Sequence, residues 1–512
     1  MLEMPFGLWK HKYVSCGDGE KIRIAIMYQV ASYWPTIESF YEACTEDAGV
    51  DVRIFYVRET SVETVQVVGS DGFLLERGIP FEVYSEYALR NFNPHAALYQ
   101  PPYDVAYRNP DALSWHLREM GIRIVYIPYG IEIADTQDAR WNHFHTLVVR
   151  NAWRIYTFSD AMREDYIKYC PNRHAVRAVG IPKFDSLSHR ERITAPALKR
   201  AAAGRKIILW KMHFPKLIYE GIHQRQVTPE LDEYIRFAEE TEQYREFCFV
   251  VMPHPMFFSH TIDRKLSEKA KQLFGLLKDR ENVLVDHADD YRISLYHADA
   301  VIIDRSAVMI EAGFLDVPVL YMKNADYEEP LTRAVKILTD SYEQGTGCDD
   351  IKNFLERFRE QKLTAVTERI RKARHKFLPH GTGECGKRIL ADMKEGISGS
   401  ESNVIRIIFF GAGYICAHYM DQLDIKNNKA FEIVCLSDNS SSKWGTRWCG
   451  IEVVPPNELK YTEADLIVVA SDQYFMPIKK GLVYDLYLQE EKIIRLDVFS
   501  ELYRKMKKED NV

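Results

Sequence analysis

Residues 298–322 read ADAVIIDRSAVMIEAGFLDVPVLYM. DAVIID is a short apolar run, fit for a buried parallel strand, and Asp304-Arg305-Ser306 breaks it with polar side chains. AVMIEAGFL then has helical spacing and VPVLYM is a second apolar run, so the stretch predicts a strand, a turn, a helix and a strand. In such a unit the helix N-terminus presents unpaired N–H groups and a positive dipole end beyond the carboxyl edge of the sheet, where phosphates bind. Ser306 is placed to cap that helix, and Glu311 falls about a turn and a half further in. Upstream, the run FCFVVM ends in Pro253-His254-Pro255, which sets an imidazole at another strand's carboxyl end in a stiff turn. Each piece alone has a plain structural reading, a Ser cap or a hydrogen-bonded surface His. Two polar turns at one edge of one sheet can also converge on a single ligand.

Working outward, RKIILWKM, FCFVVMPHP, NVLVDH, DAVIID and VPVLYM alternate with helical stretches. A second alternation from Lys21 to about Pro182 holds IRIAIM, DVRIFYV, AALYQ, IRIVYIPY, RIYTFS and VRAVGIP. Strands alternating with helices predict parallel sheets covered on both faces. The polar, basic segment KFDSLSHRERITAPALKRAAAGRK reads as the connection between the two units, and a cleft between them follows. A helix is expected from Ile351 to Phe377, with a basic outer face of Arg369, Arg371, Lys372 and Arg374. That face reads as a solvated helix surface or as a docking face for anionic lipid or polymer.

KEGISGSESN, from Lys394 to Asn403, is a small, polar linker to a third unit. There NVIRIIFFGAG, FEIVCLSDN, DLIVVASD and IIRLDVF repeat the alternation. Gly411 and Gly413 supply the tight turn of a dinucleotide fingerprint, and Asp438 ends the next strand where a ribose could be held. Cys416 stands where the third small residue of that fingerprint belongs, so a nucleotide site and a ligand-free packing domain are both compatible with the pattern.

The chain has 512 residues, too many for one core, and the usual domain scale suggests three. A net charge of -7 argues against a general nucleic-acid binder. Nine single cysteines without a C-x-x-C pair or zinc spacing fit a reducing compartment. The first residues lack an apolar signal region, so the expected location is cytoplasmic, with any membrane contact peripheral.

On Pro253, His254, Pro255, Asp304, Ser306 and Glu311 the chain resembles the CDP-glycerol glycerophosphotransferase family of teichoic-acid and capsule synthesis, over roughly Lys21 to Lys394. The family carries D-x-S-S-x-x-x-[DE] at a strand-helix turn, and Ala307 replaces the second Ser here. The resemblance implies an α/β chain with a GT-B-like pair of Rossmann-type domains. The acceptor domain would span 1–185 and the donor domain 203–394, followed by a smaller Rossmann-like domain at 403–501. It further implies a transferase moving glycerol phosphate, or another polyol phosphate, from a CDP-linked donor to a surface glycan or lipid-linked acceptor, with CMP released. Carried over by position, the Asp304-Arg305-Ser306 turn would take the pyrophosphate, Glu311 would hold donor hydroxyls and His254 would stabilise the leaving phosphate. Lys211 and His213, at the same sheet edge, are secondary donor-binding candidates.

Many members have a His-Gly pair in the first domain as the acceptor's base. Tyr129-Gly130 stands there, and a phenol with an ordinary pKa near ~10 is a poor base at neutral pH. Tyr129 could still contact the acceptor, with His143, His145 or Asp135 as the base. No cofactor is required, and magnesium use is left open: Asp304 alone does not make a magnesium site, and the helix terminus can replace the cation. The competing reading is a GT-B glycosyltransferase using a nucleotide sugar. The third unit looks like the small Rossmann-type domains of surface-polysaccharide acyltransferases, on FFGAG, LSDN and GIEVVPPNEL.

Overall fold

Strand β1 (Ile22–Tyr28, IRIAIMY) is buried at all but one position, as an apolar run without strict alternation must be when helices cover both faces of its sheet. In the computed structural model it lies between β2 (Val50–Tyr56) and β4 (Ala96–Tyr99) inside a seven-stranded parallel sheet with β3 (Glu82–Val83), β5 (Arg123–Tyr126), β6 (Ala152–Thr157) and β7 (Val176–Ala178), in the order β3-β2-β1-β4-β5-β6-β7. The structure describes residues 13–58, 70–104, 108–144, 146–170, 175–220, 223–254, 257, 264–278, 280–286, 288, 290–378, 382–398, 405–425, 431–462 and 464–509.

The second sheet contains β8 (Lys206–Met212), β11 (Phe247–Pro253), β12 (Val283–Val285), β13 (Ala300–Ile303), β14 (Val319–Met322) and β15 (Glu343–Gly345), in the order β12-β11-β8-β13-β14-β15. A separate hairpin, β9 (Leu217–Glu220) with β10 (His223–Gln226), follows β8. Strand β8 is the switch point: the chain leaves it for β11 on one side and later β13 on the other, so their carboxyl ends open one crevice. The third sheet runs β18-β19-β17-β16-β20-β21, from β16 (Ile405–Phe410), β17 (Phe431–Ser437), β18 (Arg447–Trp448), β19 (Ile451–Val454), β20 (Leu466–Val469) and β21 (Ile493–Arg495), and has its own apolar clusters.

One cluster of buried apolar residues runs through both larger units. The connection between them is packed rather than loose: Lys183, Phe184, Asp185 and Leu187 are buried. Asp185 accepts from Ser39 Oγ at 2.5 Å and from the backbone N–H groups of Cys385 and Gly386 at 2.9 and 3.0 Å. It thereby caps the helix Cys385–Ser398, which returns from the second unit to pack on the helix Glu38–Glu46 of the first. Gly386 permits that crossing, since a Cβ there would meet the Ser39 carbonyl carbon and oxygen at 2.4 Å.

The long helix expected from Ile351 is two helices, Cys348–Arg359 and Thr364–Phe377, parted by Gln361 at a φ of 57°. Much of its expected basic face is occupied internally: Arg371 and Arg374 pair with Asp316 at 3.1 and 3.2 Å, and Arg369 Nε donates to the Ser341 carbonyl. That leaves fewer free cations for lipid than the sequence suggests. Among the described residues, no helix is long and apolar enough to cross a membrane.

Candidate functional site

The carboxyl ends of β8, β11 and β13 bring together Lys211, His213, His254, Asp304 and Arg305. In register, Lys211 pairs with Met252 of β11 and Ile303 of β13, so its side chain starts between the turns. The rings of His213 and His254 lie 4.7 Å apart, and Phe214 sits edge-on to His254 at 5.1 Å. His213 Nδ1 lies 2.8 Å from the Phe214 carbonyl oxygen, which assigns the proton of the neutral ring to Nδ1 and leaves Nε2 as the acceptor. Burial holds both imidazoles below their ordinary range, His254 at about 3, and the neighbouring Lys211 and Arg305 push the same way. Both rings are therefore neutral at neutral pH. Pro255 and His145 lie outside the described residues.

Asp304 is fully buried; Oδ1 accepts from the His213 N–H at 2.8 Å and Oδ2 from the Tyr234 hydroxyl at 3.1 Å. Burial pushes its carboxyl up and pushes Lys211 down, each opposing charge offsetting part of the other's shift. Asp304 thus braces the end of β8 rather than facing a donor. Arg305 reaches Glu329 from Nε at 2.7 and 2.9 Å, so it presents a guanidinium already fixed by a carboxylate.

Two expectations about the turn are corrected. The helix after it is only five residues, Val308–Ala312, with Ala307 as its cap residue, and Ser306 Oγ receives a long 3.4 Å bond from Val308 N. Ser306 therefore shapes the turn instead of capping a long helix. Glu311 does not face donor hydroxyls: it is fully buried, its carboxylate ion-paired with Lys183 Nζ at 2.8 Å and accepting from the Tyr291 hydroxyl at 2.7 Å. Spacing places Glu311 on the correct helix but cannot reveal that a lysine from the connection between units claims it.

Across the crevice, the turn after β5 approaches this edge: a Cβ on Gly130 would lie 4.0 Å from Cβ of Ala307. Tyr129 stacks on Tyr33 at 4.2 Å, and its hydroxyl is 3.3 Å from that of Tyr103. Burial, with the phenols of Tyr33 and Tyr103 close by, pushes the Tyr129 hydroxyl well above its ordinary range. A phenol held that way is a poor base at neutral pH. His143 lies instead on the helix Gln137–Phe144, half-buried. Asp135 is engaged by Arg140 at 2.9 Å and by the Tyr169 hydroxyl at 3.2 Å, beside a cleft of about 570 Å3 also lined by Asp165, Lys168 and Arg333. Sequence reasoning missed Tyr33, Tyr103, Lys183 and Glu329, because tertiary contacts rather than a local pattern bring each of them to the site.

Among the described residues one group of potential metal ligands comes together, Cys16, Glu20 and His95. His95 Nδ1 accepts from Arg23 N at 2.9 Å, so Nε2 carries the ring proton toward the Ser15 carbonyl, with Arg23 Nη2 only 3.4 Å away. A protonated nitrogen beside a guanidinium does not ligate a cation.

In the third unit Gly411 takes a φ of 102°, which the tight turn requires, and Gly413 precedes the helix Tyr414–Gln422 with open space at its Cα. Asp438 is not free for a ribose: Oδ1 accepts from Ser440 N at 2.8 Å and Oδ2 pairs with Lys443 Nζ at 2.7 Å. Lys443 also donates to the Ala412 carbonyl, spanning the mouth of the glycine turn.

Among solved structures, S. aureus MnaA in a co-structure with UDP is similar at a TM-score of 0.52 and 13% identity, covering 73% of this chain and 96% of that one. The UDP-GlcNAc 2-epimerase from Neisseria meningitidis bound to UDP-GlcNAc has the same TM-score, also at 13% identity, covering 73% of this chain and 100% of that one. The fold is GT-B-like. At such identities the likeness concerns architecture. A family model described as C2185-like, N-terminal, matches residues 403–494. No curated protein matches in sequence.

Proposed function

We propose that the chain is a transferase that moves glycerol phosphate, or another polyol phosphate, from a CDP-linked donor to a hydroxyl of a surface glycan or lipid-linked acceptor. The observation that carries this reading is the His213–His254 pair beside Arg305, at the switch point of the second sheet and opposite the Tyr129-Gly130 turn. Phosphoryl transfer asks a protein chiefly to align groups and neutralise charge, and buried imidazoles with a fixed guanidinium suit a diphosphate. In this mechanism the acceptor oxygen attacks the donor's β-phosphorus in line, and the bridging oxygen departs with CMP. His254 bonds the phosphate oxygens as negative charge moves onto CMP, while Arg305 holds the diphosphate in place. The family resemblance and the likeness of the third unit to domains of surface-polysaccharide enzymes support a setting in envelope-polymer synthesis; a cytoplasmic location with peripheral membrane contact is part of the same proposal.

A second reading, transfer or rearrangement of a nucleotide sugar, draws on the similarity to two structures whose names carry UDP and UDP-GlcNAc. A donor panel separates them. CDP-glycerol, CDP-ribitol and UDP-GlcNAc are offered in turn, and protection from thermal unfolding is measured together with release of CMP or UDP. Protection and CMP release with the CDP-polyols alone supports the first reading. Protection by UDP-GlcNAc alone overturns it in favour of the second.

A further inference from the structure

Strand β1 is the switch point of the first sheet, as β8 is of the second: the chain leaves it for β2 on one side and later for β4 on the other. The side chains gathered at the carboxyl edge of this sheet differ in chemistry from the cationic edge opposite. Gln100 follows β4 and is 1% exposed; its Nε2 donates to the Tyr33 carbonyl at 2.6 Å and to Thr36 Oγ1, while its Oε1 is buried without a hydrogen-bond partner. That anchor fixes the turn Ala31–Thr36, whose Tyr33 ring stacks on Tyr129 with centroids 4.2 Å apart and planes at 27°. Tyr129 and Tyr103 meet hydroxyl to hydroxyl at 3.3 Å. All three phenols are half-buried, beside the Gly130 turn where the two units approach each other.

Phenols and an amide carry no charge at neutral pH. Arg108, whose guanidinium lies over the Tyr99 ring at 4.7 Å, is spent on Asp104 Oδ1 at 2.7 Å and on the Pro101 carbonyl at 2.6 Å. Lys211 and Arg305 stand on the opposite unit, where Glu329 holds Arg305. An anion set against the phenols is therefore left uncompensated, at a cost that a neutral molecule does not meet, and a diphosphate across the crevice repels it further. A pyranose suits the same surface: its C–H face lies on an aromatic ring while its rim hydroxyls pair with phenol oxygens and an amide carbonyl.

We propose that the Tyr33–Tyr129 stack and Gln100 form a subsite for an uncharged sugar ring, and that this ring is the acceptor. Calling the sugar the acceptor rests on the transferase reading above. A glycosyl transfer must then supply the acceptor. The product carries a phosphodiester beside its new terminal hydroxyl, which the subsite turns away, so each sugar end receives one polyol phosphate rather than a polymer.

The test uses the full chain with Tyr33→Ala and Tyr33→Phe, and as acceptor probes the methyl glycosides of glucose, galactose and N-acetylglucosamine beside glycerol phosphate. With CDP-glycerol as donor, a glycoside should release CMP, one per acceptor at completion, and glycerol phosphate should release far less. Tyr33→Ala should raise the glycoside KM about tenfold and leave the donor KM unchanged, and Tyr33→Phe, which keeps the ring, should match the wild type. Faster CMP release with glycerol phosphate than with any glycoside, or a glycoside KM unchanged in Tyr33→Ala, overturns the proposal. Saturation-transfer NMR with the glycosides alone needs no donor: a signal is expected from the wild type and Tyr33→Phe and is lost in Tyr33→Ala. No glycoside signal from the wild type, or one that persists in Tyr33→Ala, overturns the subsite whatever the donor. Glycoside signals that depend on Tyr33, with no CMP released from CDP-glycerol, would sink the donor assignment instead and leave the sugar subsite standing.

Discussion

The imidazoles of His213 and His254 stand ring against ring, centroids 4.7 Å apart, at the carboxyl ends of adjacent strands β8 and β11. Burial and the neighbouring cations Lys211 and Arg305 disfavour charge on the apposed rings and keep them neutral. A diphosphate entering beside them reverses that balance by favouring the imidazolium.

Donor binding should therefore take up a proton. CDP-glycerol keeps a constant charge near neutrality, so its affinity should rise as pH falls, by up to about tenfold per pH unit for one proton. Calorimetry in buffers of different ionisation enthalpy measures the uptake directly. Affinity that does not change between about pH 6 and 8 would contradict the role given to the histidine pair.

The same pair should shape the acid stability of the protein without added donor. His254 titrates at about 3 when folded against an ordinary 6.5, so between these values the unfolded chain binds the extra proton. Stability from this group is present above 6.5 and is lost as pH falls toward 3, with a slope of up to about 1.4 kcal/mol per pH unit. Denaturant titrations of His254→Asn should show a shallower acid-side loss than the wild type. Equal slopes would mean that the imidazole is hydrated and ordinary.

Lys183 and Glu311 form a buried ion pair between the connection and the helix Val308–Ala312, 2.8 Å apart. Lys183→Met should destabilise by about 3–5 kcal/mol, because it strands a buried carboxylate, and adding Glu311→Leu should recover part of the loss. Chemical unfolding of the single and double variants measures the coupling; additive losses would remove the pairing from the account of how the units are joined.

Gly386 lies where the returning helix crosses Ser39 and Phe40, and a Cβ would stand 2.4 to 2.5 Å from their backbone atoms. Gly386→Ala should lower the melting temperature through a backbone shift costing about 1–3 kcal/mol or more. Gly413→Ala, whose added Cβ meets nothing within 4 Å, should leave it nearly unchanged. Equal melting temperatures for both variants would contradict the tight crossing.

Periodicity and turn chemistry in the sequence by themselves determined the alternating strands, since a strand buried on both faces must be a short apolar run: IRIAIM, KIILWKM, FCFVVM and IRIIFF all became strands. The short polar strands β3 and β15 left no such mark, because they draw order from the neighbour they pair with. The same logic holds at the site. Spacing could set His254 and Asp304-Arg305-Ser306 at one sheet edge, because strand ends are local facts. Only the tertiary structure decided that Glu311 answers to Lys183, that Asp304 braces His213, and that Glu132 accepts from the Tyr166 hydroxyl. Each of those partners comes from a distant part of the chain or a different element, and a carboxylate's role is set by what packs around it rather than by its neighbours in sequence.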